Sequence, residues 1–331
     1  MKKLGVAVAL AAGTLLMAAP AFAQNQHRQG QGQAIVTVLP AHEGEQAVSV
    51  ALQDVKVKIN GKQSSVTSWT PLRGPDSRIE LVLLIDSGAS RSLGEEMGEL
   101  RQFIQETPSN TKIAIAYMEN GRAAFAGPLS ANPAEVERGL HLPGGFPGSS
   151  ASPYFCLSEF AKRWPGAAPE GPRNPEALAP LGPASAGARK ARFVLMITNG
   201  VDPYNGSTSP MNQNSPYVDT AVRDAQRAGV AVYSIFFSDA GFRGGRANFS
   251  GQSYLAEVAE GTGGTAYFQG TSNPVSLIPF FEQFEKSISE TYVATFDAAG
   301  RDLVRIKAST DLPKTKLRTA QLVRPGTQLA D

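Results

Sequence analysis

Apolar and polar positions change rhythm twice along this chain. From Ile35 onward they alternate: Val55, Val57 and Ile59 fall on one side of a strand and Lys56 and Lys58 on the other, and Asn60-Gly61 then supplies the backbone freedom of a tight hairpin turn. The return strand is expected to hold Val66 and Trp69. Near the far end, Tyr292 to Phe296 reads as one strand, and Val304, Ile306 and Ala308 alternate against Arg305 and Lys307 in the next. Neither end has enough strands to bury a face alone, so the two are expected to pair as a small antiparallel module.

Between them, continuous apolar runs replace alternation. Leu81-Val82-Leu83-Leu84-Ile85 and Val194-Leu195-Met196-Ile197 are what strands covered on both faces of a parallel sheet require. Strands are predicted at 81–86, 112–118, 122–126, 192–198, 230–237 and 265–268. Helices are predicted at 93–104, from Pro153 with Ser152 as its cap, and at 218–228, 254–260 and 275–287. This alternation predicts an α/β fold with a doubly wound, mostly parallel sheet, flanked by the antiparallel module. The expected plan is a leader over 1–23, a disordered lead-in over 24–33, a β-rich segment over 34–77, the α/β domain over 78–290 and a β-rich segment over 291–331. Six prolines between 165 and 183 make 165–187 an extended loop, expected at the edge opposite the strand tips.

The first residues change the address. Lys2 and Lys3 precede an apolar run from Leu4 to Met17, and Ala21-Phe22-Ala23 is a small-residue cleavage pattern, so a signal peptide cut after Ala23 is expected, with a secreted or periplasmic product. No later segment has the ~18 unbroken apolar residues of a spanning helix. The formal charge of +2 includes Lys2 and Lys3, and residues 1–23 hold no acid, so the chain behind them is close to neutral. With no basic block and no aromatic-basic interleaving, the sequence argues against nucleic acid or an anionic membrane as partner. The single cysteine, Cys156, cannot form an internal disulfide and reads as a buried thiol among Tyr154, Phe155 and Leu157.

Candidate chemistry gathers where the first apolar run ends, in Asp86-Ser87-Gly88-Ala89-Ser90. Ligands of open α/β sheets collect at the carboxyl ends of strands, so a strand-tip aspartate followed by small and hydroxyl residues reads as a cation site. Together with the order of elements, this segment resembles the von Willebrand factor type A family, in its secreted bacterial branch, over roughly residues 78–292. In that family D-x-S-x-S, a second-loop threonine and an aspartate after the fourth strand hold a divalent cation, and a ligand carboxylate completes its coordination. The resemblance implies metal ligands at Asp86, Ser90 and Ser150, with Ser149 and Ser152 as alternatives to Ser150. Gly88 stands where the first serine belongs, and Asn199 where the later aspartate belongs; Ser87 lies one place early and faces away. The implied adhesion site is thus incomplete, with Asp202 able to compensate if its loop folds inward. Such a site would hold Mg2+ or Mn2+ weakly, because magnesium relies on one or two carboxylates with water.

Enzyme chemistry finds no residue set. The three histidines, His27, His42 and His141, do not fall at zinc spacing, the hydrolase elbow is absent, and Gly241-Phe242-Arg243-Gly244-Gly245-Arg246 lacks the lysine of a phosphate loop. The loops 199–217 and 238–252 follow strands and belong on the Asp86 rim. Their Tyr204, Tyr217, Phe242, Arg243 and Arg246, set among glycine and serine, suit recognition of a protein surface. The expected function is an exported, non-catalytic binding or adhesion module whose protein partner, through an acidic side chain, docks on that rim, with metal dependence weak or lost. The alternative is a cell-envelope scaffold using the fold without a metal site; a hydrolytic enzyme ranks third.

Overall fold

The computed structural model describes residues 30–42, 44–74, 77–89, 92–145, 150–164, 190–204, 215–237, 246–270, 272–300 and 302–325. The expected signal peptide, most of the lead-in and the proline loop lie outside the described residues. Among the described residues no helix is long and apolar enough to cross a membrane.

A six-stranded sheet forms the centre. Its strands are β5 (Arg78–Asp86), β6 (Thr111–Glu119), β7 (Arg122–Phe125), β8 (Lys190–Thr198), β9 (Val230–Phe236) and β10 (Ala266–Tyr267), in the order β10-β9-β8-β5-β6-β7. All neighbours are parallel except β6 and β7, which form a hairpin at Asn120-Gly121, both with positive φ. The apolar run of β5 is buried on both faces. Leu81, Leu83 and Ile85 join one core with α1 (Met97–Glu106) and α6 (Ile278–Ser289), through Leu100, Phe103, Phe281 and Phe284. Val82 and Leu84 join the other with α3 (Pro153–Ala161), α4 (Pro216–Ala228) and α5 (Arg246–Thr262), through Tyr154, Phe160, Val218 and Val258. Each fully buried Leu or Ile contributes about 1.5–3 kcal/mol, so an unbroken run specifies this two-faced position better than any polar pattern could. A short helix α2 (Pro133–Glu137) completes the set.

The chain ends build two further four-stranded sheets, as their alternation anticipates. One has the order β13-β1-β11-β4, from β1 (Gln31–Pro40), β4 (Val66–Pro71), β11 (Thr291–Asp297) and β13 (Thr315–Thr319). The other has the order β14-β12-β2-β3, from β2 (Lys56–Ile59), β3 (Lys62–Ser64), β12 (Val304–Ser309) and β14 (Leu322–Val323). Val36, Val57, Phe296, Ile306 and Ala308 fill the core between them. Ile35 and Val293 point out of the opposite face of β1 and β11 into the α1/α6 core, so the first sheet is buried on both sides.

Three expectations are corrected. Strand β1 begins at Gln31, inside the expected lead-in, because it pairs with β11 from Gln31↔Asp297 onward. Gly32 permits this, since a Cβ there would stand 2.7 Å from the Phe296 ring. The hairpin at Asn60-Gly61 forms, but its return strand ends at Ser64; Val66 and Trp69 cross to the other sheet, where Trp69 stacks on Tyr292 at 4.5 Å. Residues 246–252 belong to α5 rather than to a loop. Gly251 is accommodated in that helix because it packs on the tip of β8, where a Cβ would meet the Asn199 carbonyl oxygen at 2.0 Å.

Candidate functional site

The chain runs from β5 to β6 on one side of the sheet and returns to β8 on the other, so the crevice at the tips of β5 and β8 is the topological switch point. Register decides what meets there. Ile85 pairs with Ile197, which places Asp86 and Thr198 side by side as the next residues of two parallel strands. Thr198 Oγ1 donates to Asp86 Oδ2 at 2.6 Å, and the Gly88 amide donates to Asp86 Oδ1 at 2.8 Å. The Ser150 hydroxyl donates a third hydrogen bond. Asp86 is only 3% exposed, and burial pushes its carboxyl above the usual range, with these three donors offsetting part of that rise.

Each donor is held in turn. Thr198 Oγ1 also accepts from the Gly200 amide at 3.2 Å. Ser150 is fixed by its carbonyl, which accepts from the Gly121 amide at 3.0 Å, and Ser152 caps α3 by accepting from the Tyr154 amide. Tyr154 is fully buried and donates to the Gly200 carbonyl at 2.6 Å, joining α3 to the β8 loop; burial pushes its phenol well up. Cys156 is buried beneath Ser150, its Sγ 3.3 Å from the Arg122 carbonyl oxygen, and burial raises the thiol. A thiol so placed packs as a small apolar group.

The structure therefore joins Asp86 with Ser150 but engages Asn199 and Asp202 elsewhere. Asn199 Oδ1 accepts from the Val201 amide at 2.9 Å, a turn within its own loop. Asp202 accepts from the Ser215 hydroxyl at 2.6 Å and the Tyr204 amide at 3.1 Å, so it ties the two ends of its loop to the cap of α4. Ser90, Phe242 and Arg243 lie outside the described residues, as does the Arg246 side chain at the start of α5. Thr198 is the member that sequence reasoning missed. Its signal was its place as last residue of the Val194 run, level with Asp86 once the two runs are set in register.

A divalent cation is a poor fit to these donors. Asp86 is the one carboxylate of this hydrogen-bonded group, and both its oxygens already accept hydrogen bonds from the Gly88 amide and the Thr198 and Ser150 hydroxyls. Among the described residues no group of three or more His, Cys, Asp or Glu could hold a metal. Magnesium requires near-octahedral oxygen coordination and usually one or two carboxylates with water, whereas here a single desolvated carboxylate already accepts three hydrogen bonds. What the arrangement does is mechanical: one buried carboxylate ties three rim segments together.

Beside this anchor lies an aromatic group. Tyr204 is 52% exposed, with its ring 5.4 Å from that of Phe155, and Tyr217 meets Phe155 edge-on at 4.7 Å.

No family model matches the chain, and no curated protein matches it in sequence. Among solved structures it is similar to an aerotolerance-related membrane protein from Bacteroides fragilis (12% identity, 64% of this chain and 99% of that one, TM-score 0.38). It is likewise similar to the von Willebrand A domain of SpRpn10 (10% identity, 62% and 94%, TM-score 0.36). A third is the pilus adhesin SpaC of Lactobacillus rhamnosus (8% identity, 86% and 44%, TM-score 0.38). At these TM-scores the likenesses carry no argument, and the α/β fold stands on its own strand order.

Proposed function

We propose that the chain is an exported, non-catalytic binding module whose protein partner docks on the rim at the tips of β5 and β8, without dependence on a metal. The carrying observation is the pairing of an exposed aromatic group, Tyr204 with Phe155 and Tyr217, with loops that Asp86 and Asp202 hold in place. Tyrosine offers large contact area at low entropic cost, and side chains already held by packing lose less on binding. Phe242, Arg243 and Arg246, which follow β9 in sequence, are proposed as further partner contacts on the sequence alone.

The test is capture of envelope proteins by the mature chain, set beside a Tyr204→Ala, Tyr217→Ala variant and an Asp86→Ala variant, each checked for folding by its melting curve. Loss of one captured protein in the tyrosine variant at unchanged melting temperature supports the reading. Unchanged capture in both variants overturns it and leaves the scaffold alternative.

A further inference from the structure

The sequence, with no basic block, argues against an anionic membrane as partner, but the outer face of the β14-β12-β2-β3 sheet carries a charge arrangement that the linear order conceals. Val57, Ile306 and Ala308 point inward to the core between the two sheets, so Lys56, Lys58, Arg305 and Lys307 point outward, and all four are exposed. Strand register sets Lys58 directly opposite Lys307, although they are far apart in the chain. Facing side chains on antiparallel strands stand about 5 Å apart, and like charges so placed oppose sheet formation. Lys56 is neutralised by Asp311, but no carboxylate of the described residues pairs with Lys58, Arg305 or Lys307. Neighbours on this face include Gln63 opposite Lys58, Ser309 opposite Lys56, and Asn60 and the half-buried Leu322 on either side of Arg305.

From this juxtaposition we infer that the outer face of the β12/β2 pair is an electrostatic docking surface for an anionic lipid bilayer. The chemistry selects among polyanions. A protein interface needs an apolar or aromatic centre, and a single-stranded nucleic acid needs aromatic platforms for its bases; this face has neither. An array of three unpaired cations on one sheet face, with no aromatic side chain among them, matches a plane of phosphate headgroups and binds it through Coulomb attraction. Each lysine or arginine within a Debye length of an anionic leaflet raises partitioning roughly fivefold.

Sedimentation of the mature protein with phosphatidylglycerol vesicles, against vesicles of phosphatidylcholine alone, tests this. Binding to phosphatidylglycerol is expected at low ionic strength and is lost at about 1 M salt, where the Debye length falls to about 3 Å. The Lys58→Gln, Lys307→Gln variant should partition roughly twenty- to thirtyfold more weakly while melting no lower than the parent, because it removes a like-charge pair. A Lys58→Arg, Lys307→Arg variant keeps the charge and should keep the binding. Equal sedimentation with both lipids, no sedimentation with either, or undiminished binding of the glutamine variant overturns the proposal.

Discussion

The junction of α1 and α6 should make stability fall as pH rises towards neutrality, and Glu96 is the residue responsible. Glu99, in the first turn of α1, accepts at Oε2 from the Leu277 amide at 2.6 Å, the Ile278 amide at 3.2 Å and the Ser276 hydroxyl at 3.1 Å, and so caps the start of α6. Glu96 lies one turn earlier and is 7% exposed. Its carboxyl is pushed up to about 7, first by burial, then by the charge of Glu99, by a hydrogen bond that its protonated form gives to Glu99, and by Glu95. The folded protein thus holds this proton more tightly than the unfolded chain, whose glutamate titrates near 4.5. The stabilisation is fully present below about pH 4.5 and is lost as pH rises through about 7. Taken at face value the difference is about 3 kcal/mol, and water at the helix end reduces it to on the order of 2 kcal/mol, or roughly 4–8 °C in melting temperature. Glu96→Gln retains the hydrogen bond to Glu99 without the titration. Thermal melts from about pH 4.5 to about pH 8 should show the parent losing that increment relative to the variant. Glu257 and Glu285 are also raised by burial, so the difference between the two proteins is the readout. Parallel pH profiles for parent and variant would refute the argument.

Two further outcomes follow from the strand-tip site. Thr198→Val should cost roughly 1.5–3 kcal/mol in denaturant unfolding by taking a hydrogen bond from the buried Asp86 carboxylate, with Thr198→Ser restoring most of it; a neutral valine variant would show that Asp86 is not held this way. Melting with Mg2+ or Mn2+ should leave the natural chain unmoved, whereas Gly88→Ser with Asn199→Asp restores two ligands and should introduce a metal-dependent rise. A rise in the natural chain would reverse the reading of its donors.

Much of the architecture was legible because burial leaves a period in the sequence. The runs at 81–85 and 194–197 announce strands covered on both faces, and the alternation at 55–59 and 304–308 announces strands covered on one. What escaped lacks such a period. β13 and β14 are short and β13 is half-buried, and β4 changes sheets one residue after β3 ends, which no local pattern records. Asn199 was assigned by its position after a strand, yet side-chain direction within that turn satisfies it with the Val201 amide.

By itself, the sequence determined the α/β class, the placing of Asp86 at a strand tip, the tying of both chain ends into antiparallel sheets and the isolation of Cys156. Tertiary structure alone decided which side chains share a neighbourhood. Thr198 and Ser150 reach Asp86, and Lys58 faces Lys307, through strand register and loop closure between distant segments. The physical reason is the same in both cases. Periodicity states which face a residue occupies, because each element's own geometry sets that; what stands opposite is set by pairing between elements, and the chain carries no local trace of it.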